Sequence, residues 1–295
     1  MQPSRRAFLT AGRALASPWG RFYQRLARSV HGRLEDRTAT PAEPGRAWLQ
    51  PARAADVHHA RALCAEAGVT LALQNHAPAP TMPCLLLDPS ALDGMTQLPD
   101  GRIDAEPGVR VADLRQRLHG ACPGAPDDAT LADWLASAAA AAPPPGALAG
   151  SGVHAVEVLL ADGTLENFGP FGAQSNRPAL SVAASRLVSE LFTLATQPAP
   201  TKWRHLPAWP AQYRLDALLA EPPNLAHLLL GSGGTLAWLE RARLVPVEAA
   251  SAARPADAPA RPDAATSMAA DMLDAEVKQR FDPRSVFPYP GTAVV

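Results

Sequence analysis

A glycine turn and a handful of polar side chains hold whatever chemistry this chain can do. Gly231-Ser-Gly-Gly-Thr-Leu236 follows an apolar stretch in which Leu225, Leu228 and Leu229 repeat at helical spacing. Its glycines let the backbone turn tightly and approach another group closely, as a loop must if its N–H groups are to meet an anion. Other reactive patterns are missing. No Gly-x-x-x-x-Gly-Lys-Ser/Thr, Gly-x-Gly-x-x-Gly, Gly-x-Ser-x-Gly or His-Glu-x-x-His occurs. His58 and His59 are adjacent and would point apart on a helix, where a metal pair needs i, i+4 spacing, so no metal site is expected. Cys64, Cys84 and Cys122 are odd in number and far apart, which reads as reduced, buried thiols. Trp203, Trp209, Tyr213 and Trp238 read as core aromatics.

The elements that must position the turn follow from periodicity and punctuation. A helical pattern from Ala55 to Gly68 leads into a strand, Val69 to Leu73, and then another, Cys84 to Leu87. Arg102 to Leu118 reads as a strand, a Pro-Gly turn and a helix with Val111, Leu114 and Leu118 on one face. Thr130 to Ala142 favours a single helix, stopped by Pro143-Pro-Pro-Gly146. Val153 to Phe168 is a hairpin around Asp162-Gly163, and Leu180 to Ala195 has helical spacing. Beyond the glycine turn, Leu236, Trp238, Leu244, Val245 and Val247 fit a strand with one mostly buried face. Ala249 to Ala265 is an Ala/Pro/Asp tract that reads as a linker.

With 295 residues, 47% hydrophobic and 19% charged, the chain can bury a real core. The net charge of -1 gives no reason to expect a nucleic-acid partner, yet it hides an asymmetry. Residues 1 to 34 carry Arg5, Arg6, Arg13, Arg21, Arg25, Arg28 and Arg33 and no acid before Glu35. Ser4-Arg-Arg-Ala-Phe-Leu-Thr10 looks like a twin-arginine export signal, but its apolar stretch, Ala7 to Gly12, is too short for translocation. Two further readings are a solvated arm and a basic amphipathic helix that docks Phe8, Leu9, Leu15, Trp19, Phe22, Tyr23 and Leu26 on a partner or membrane face. No run reaches the ~18 apolar residues of a membrane span. The expected location is the cytoplasm, with peripheral contact at the inner membrane through residues 1–34.

Three segments, in order along the chain, resemble the FAD-linked oxidases, whose FAD-binding domain is of the PCMH type. Lys202 to Leu219 is similar to the family's "Arg, x, Gly-Tyr-Asn-Leu-Asp-x-Leu", with Gln212 at the glycine. Asn224 to Val247 resembles "helix, Gly-Ser-Glu-Gly-Thr-Leu, strand", with Gly233 at the glutamate. Met272 to Gly291 resembles the closing "Phe-Asp-Pro, x, x, Ile-Phe-Asn-Pro-Gly", with Pro288 and Tyr289 in place of the asparagine. The segment around Glu106-Pro-Gly108 and the Asp162-Gly163 hairpin also match. Among the branches, the chain looks most like the FAD-binding subunit of glycolate oxidase and the flavin D-lactate dehydrogenases.

The resemblance implies an α+β fold of two lobes, about 46–100 and 101–248, preceded by an arm and link over 1–45. A linker over 249–265 and a tail over 266–295 that packs back on the domain would follow. It implies FAD as cofactor, bound by Thr130, Leu131, Gly150, Gly152, Val153, Gly231, Ser232, Gly234, Thr235 and Leu236. Arg204 and His205 are the candidates to orient a small 2-hydroxy acid. The family's substrate cap is missing between Val247 and the tail, so a catalytic flavoprotein or iron–sulfur subunit is the expected partner. Departures from the pattern are concentrated where the pyrophosphate would lie. Gln74 to Pro83 replaces a glycine-rich first loop and has three prolines, which lack N–H donors. Ala132 and Asp133 replace the glycine pair of the second loop, and an ionised Asp133 would repel a pyrophosphate by about 1 kcal/mol at contact in water. An alternative reading is therefore a non-catalytic pseudo-oxidase that acts as a scaffold or assembly subunit.

Overall fold

The structure is a computed structural model that describes residues 17–40, 42–171, 181–247 and 263–291. The fold is α+β, with two sheets. The first has the order β1 (Arg33–Asp36), β2 (Arg46–Gln50), β4 (Cys84–Leu87), β3 (Thr70–Leu73). Its last three strands are parallel, and β1 adds antiparallel to β2. Parallel strands are stable when both faces are covered, and β3 and β4 are buried at every position. Leu49, Leu71, Leu73, Leu85 and Leu87 join the main core. Trp48, Ala72, Cys84 and Leu86 form a small second cluster on the other face.

Two helices pack together beside this sheet. Helix α1 (Pro18–Ser29) begins with Ser17 capping the Gly20 N–H at 2.9 Å and Pro18 in its first turn. Helix α2 (Ala54–Ala67) matches the helical pattern read from Ala55 to Gly68 and ends at Gly68 in the left-handed conformation. Here one expectation is corrected. Phe22 and Leu26 are buried within this chain, and Trp19 and Tyr23 pack against the same core, so the described part of the apolar face, Trp19 to Leu26, docks in cis. A Cβ on Gly45 would overlap the Trp19 ring, which shows how close that docking is. The expected arm thus supplies a helix and a strand to the first sheet's layer. Phe8, Leu9 and Leu15 lie outside the described residues.

The second sheet, entirely antiparallel, has the order β5 (Met95–Gln97), β6 (Ile103–Ala105), β9 (Trp238–Leu244), β7 (Val153–Leu159), β8 (Leu165–Phe168). The hairpin read from Asp162-Gly163 is β7 and β8, and Gly163 takes φ +96°. Helix α3 (Val111–Arg117) follows the Pro-Gly turn with Val111 and Leu114 buried.

The helix expected over Thr130 to Ala142 is broken. It forms α4 (Leu131–Ala136) and α5 (Ala138–Ala141), with Ser137 extended between them. The physical reason is tertiary. The carbonyls of Leu135 and Ala136 accept hydrogen bonds from Gly231 and Gly233, and that pairing outweighs the helix preference of an alanine run. Helix α6 (Val182–Ala195) matches its prediction, with Leu180 outside the described residues. A short α7 (Pro198–Trp203) follows. The stretch before the glycine turn is a buried 3-10 helix, Leu225–Leu229. The tail helix α8 (Ala264–Phe281) starts with Asp263 accepting from the Thr266 N–H, so Ala264 and Ala265 belong to it and not to the linker, which otherwise lies outside the described residues.

Candidate functional site

The two sheets meet at an apolar cavity whose wall includes the glycine turn. Leu73 and Leu87 come from the first sheet, Trp238 from the second, and Ser232, Gly234 and Ala136 from the turn and α4. The sequence brings them together for an identifiable reason. Gly231, Gly233 and Gly234 all take positive φ (75°, 68° and 67°), which lets the chain reverse between the 3-10 helix and β9. A Cβ on Gly234 would sit 3.5 Å from the Leu73 Cβ.

Four backbone donors of the turn are spent internally. Gly231 N–H donates to Leu135 O at 2.8 Å, Ser232 N–H to Leu229 O at 3.2 Å and Gly233 N–H to Ala136 O at 2.9 Å. Thr235 N–H donates to Ser232 O at 3.3 Å, and the Leu236 side chain is fully buried. Gln212 closes the turn further, because its Nε2 donates to Ser232 O at 2.8 Å and would lie 3.2 Å from a Cβ on Gly233.

Beside the cavity, the two degenerate loops bond to each other. Thr130 caps α4: its Oγ1 accepts from Asp133 N–H at 3.2 Å and donates to Asp133 Oδ2 at 2.7 Å. Asn75 Nδ2 donates to the same Oδ2 at 3.1 Å, and His76 Nε2 lies 3.3 Å from Asp133 O. Leu131 is fully buried and donates its N–H to Val109 O. Gly150, Gly152 and Val153 form a tight entry to β7, away from the cavity wall. There Gly152 O accepts from Val245 N–H, and a Cβ on Gly152 would meet Val247 Cγ2 at 2.7 Å. Val153 O receives the neutral His227 ring at 2.8 Å, and burial pushes the His227 pKa down.

Arg204 and His205 are exposed at the end of α7 and do not line the cavity. Arg204 Nη2 donates to Leu219 O at 3.3 Å. Trp203, Tyr213 and Trp238 are buried, as the core reading expects, and Trp209 packs edge-on to Trp203. The three thiols are buried too, and burial pushes Cys84 and Cys122 up to about 12, so they are poor nucleophiles. Among the described residues no cluster of His, Cys, Asp or Glu could hold a metal ion, and no helix is long and apolar enough to cross a membrane.

Sequence reasoning missed the buried charges that brace this site. Asp274 accepts from the N–H groups of Gln212 and Tyr213 at 2.8 and 3.0 Å, and burial pushes its carboxyl up to about 6. Tyr213 Oη in turn lies 2.7 Å from Thr235 Oγ1. Lys278 Nζ donates to Thr235 O at 2.7 Å and to Phe287 O at 3.0 Å. Arg214, paired with Asp216 where neither is exposed, binds the carbonyls of Ala141, Pro143 and Pro144. Each of these charges ties together backbone from distant segments, and Lys278 holds the turn itself.

An FAD would need donors for its pyrophosphate and a cleft of at least ~300 Å³. The cavity here measures ≈ 30 Å³. Four turn N–H groups are already paired, and the Thr130 hydroxyl is spent on the Asp133 carboxylate. In this arrangement the residues present do not fit the dinucleotide.

No family model matches the chain, and no curated protein matches it. Several solved structures align with it at low identity. An alkyldihydroxyacetonephosphate synthase is 13% identical, covering 68% of this chain and 32% of its own, with a TM-score of 0.41. A BBE-like 1 protein of Physcomitrella patens is 12% identical, covering 76% and 43%, with a TM-score of 0.43. Glucooligosaccharide oxidase from Acremonium strictum, an FAD protein, is 12% identical, covering 77% and 42%, with a TM-score of 0.44. The chain spans less than half the length of each, and at such identity and TM-score the likeness says nothing about activity.

Proposed function

We propose that this chain carries the scaffold of the FAD-linked oxidases in a form closed to the dinucleotide, and that it serves as a non-catalytic scaffold or assembly subunit. The family assignment rests on the three ordered sequence segments around Tyr213, Gly231 and Phe281. The closure rests on one observation: the inter-sheet cavity measures ≈ 30 Å³, and the N–H groups of Gly231 and Gly233 in its turn bond to α4. A scaffold of this kind works by contact with other chains. The proposed partner is a catalytic flavoprotein or iron–sulfur subunit, and any membrane contact would fall to residues 1–16 and the arginine-bearing side of α1. The test is a visible absorption spectrum of the purified protein before and after incubation with excess FAD and desalting. No flavin band is expected, and a retained stoichiometric band would overturn the reading.

A second reading has its own support. Trp238 lines the cavity, and its buried Nε1 has no hydrogen-bond partner, which leaves a donor unused at the cavity. In this reading the cleft opens, FAD binds, and the chain is an oxidoreductase subunit for a 2-hydroxy acid such as glycolate or D-lactate. The same spectrum decides between them, followed by dye reduction with those acids if flavin is retained.

A further inference from the structure

We propose that Asp133 is an internal lock between the two sheets: its carboxylate and its carbonyl hold Asn75 and His76 against α4, so that the two loops close on each other instead of on a ligand. The proposal rests on the reading that these loops are degenerate counterparts of anion-binding loops.

The lock has parts from three distant stretches of chain. Strand β3 ends at Leu73 and runs straight into a 3-10 turn, Gln74–His76, whose base is anchored to the first sheet by the Trp48 Nε1 bond to Gln74 Oε1. From that turn Asn75 reaches Asp133 Oδ2 at 3.1 Å and His76 reaches Asp133 O at 3.3 Å. Thr130 Oγ1 donates to the same Oδ2 at 2.7 Å, which fixes the carboxylate on the first turn of α4. On its other side α4 is held by Gly231 and Gly233, whose N–H groups bond to Leu135 O and Ala136 O. A helix of six residues is thereby clamped between the first sheet's loop and the second sheet's turn.

The chemistry of the residue suits the task. A carboxylate offers acceptors and no donors, so it pairs with the amide of Asn75 and the hydroxyl of Thr130. An approaching phosphate would find those donors occupied and a negative charge beside them. Glycine or alanine at 133 would leave both donors without this acceptor. Asp133 acts here as a positioning residue, because it sets where loop 74–76 lies.

The experiment is hydrogen–deuterium exchange on the full chain and on N75A, D133N, D133A and N75A/D133A. D133A is expected to speed exchange in residues 74–76, across the cleft, by about fivefold, the size of one net hydrogen bond. D133N keeps an acceptor oxygen and is expected to stay within about twofold of the parent chain. N75A, whose side chain is exposed, should reproduce the D133A effect on that loop, and the double variant should add nothing further. Acceleration confined to residues 131–136, or additive effects of the two substitutions, would overturn the lock, since either would leave Asp133 as a helix cap alone. If D133A does not fold, the N75A result decides. A flavin-retaining parent chain would overturn the non-catalytic reading without touching this outcome. A flavin-free parent with unchanged exchange in D133A and N75A would overturn the lock and leave that reading standing.

Discussion

The Lys278 ammonium lies 2.7 Å from the Asp282 carboxylate, with both side chains fully out of solvent. All three ammonium protons are used, on Asp282, Thr235 O and Phe287 O, and Asp282 also accepts from Val286 and Phe287 N–H. Burial pulls the Lys278 pKa down and the Asp282 charge opposes that. Removing one partner leaves an uncompensated buried charge, so K278M is expected to destabilise the chain by about 3–5 kcal/mol. K278M/D282L should recover part of that loss. Urea denaturation of the three proteins checks the order.

A second prediction concerns pH. His58 Nε2 and Glu240 Oε1 are 3.1 Å apart, linking α2 to β9. Burial first, then Glu157 and Glu106, pushes Glu240 up to about 7 against the pull of Arg241. Burial, then Arg61 and His59, pushes His58 down, so near neutral pH this is a hydrogen bond with a neutral imidazole and not a firm ion pair. The folded chain therefore holds a proton that the unfolded chain releases above its ordinary carboxylate range. The stability this gives is complete below about 4.5 and is lost as pH rises through about 7. E240Q mimics the protonated form. It should match the parent near the acid end of that window and exceed it by roughly 3 kcal/mol at pH 8, measured by denaturant titration at each pH.

Substitution of Gly231 should be far costlier than substitution of another left-handed glycine. Gly231 and Gly146 take φ of 75° and 82°, so an alanine at either pays the same backbone penalty of about 1–2 kcal/mol. At Gly146 nothing lies within 4 Å of the added Cβ, whereas at Gly231 it would overlap the Ala141 Cβ. G231A is expected to cost about 2–4 kcal/mol in total. Equal melting temperatures for G231A and G146A would contradict the tight approach of the turn to α5.

Arg204 and His205 offer the opposite case. Both are exposed and neither touches the cavity. R204A and H205A should each leave stability within about 0.5 kcal/mol, and neither should alter the visible spectrum obtained after FAD incubation.

Much of the framework could be read from the residues. Strands β3 and β4, helix α2 and the β7–β8 hairpin follow from short apolar runs, helical periodicity and an Asp-Gly turn. These are local signals, and local chemistry decides them. What escaped was decided at long range. The break at Ser137 sits in a run of alanines that favours helix, and only the distant Gly231 and Gly233 N–H groups impose it. The partner of the α1 apolar face could not be named from one sequence, since a helix that docks in cis has the same pattern as one that docks in trans. The buried charges carry a readable signal in the sequence. On α8, Ala270, Leu273, Val277 and Phe281 form an apolar stripe, and Asp274 and Lys278 fall inside it at i, i+4 spacing.

Strand β1 has one more consequence. Among the described residues it is the only antiparallel member of the first sheet, and it shields the outer edge of β2, where Ala47, Trp48 and Leu49 are all buried. Three of its four residues are charged, so the outermost edge it presents is a poor template for another strand. Without the segment from Ser17 to Asp36, β2 would display a row of open amides flanked by apolar side chains on both faces. By covering that edge with a charged strand, β1 leaves the sheet of one molecule a poor template for the sheet of the next.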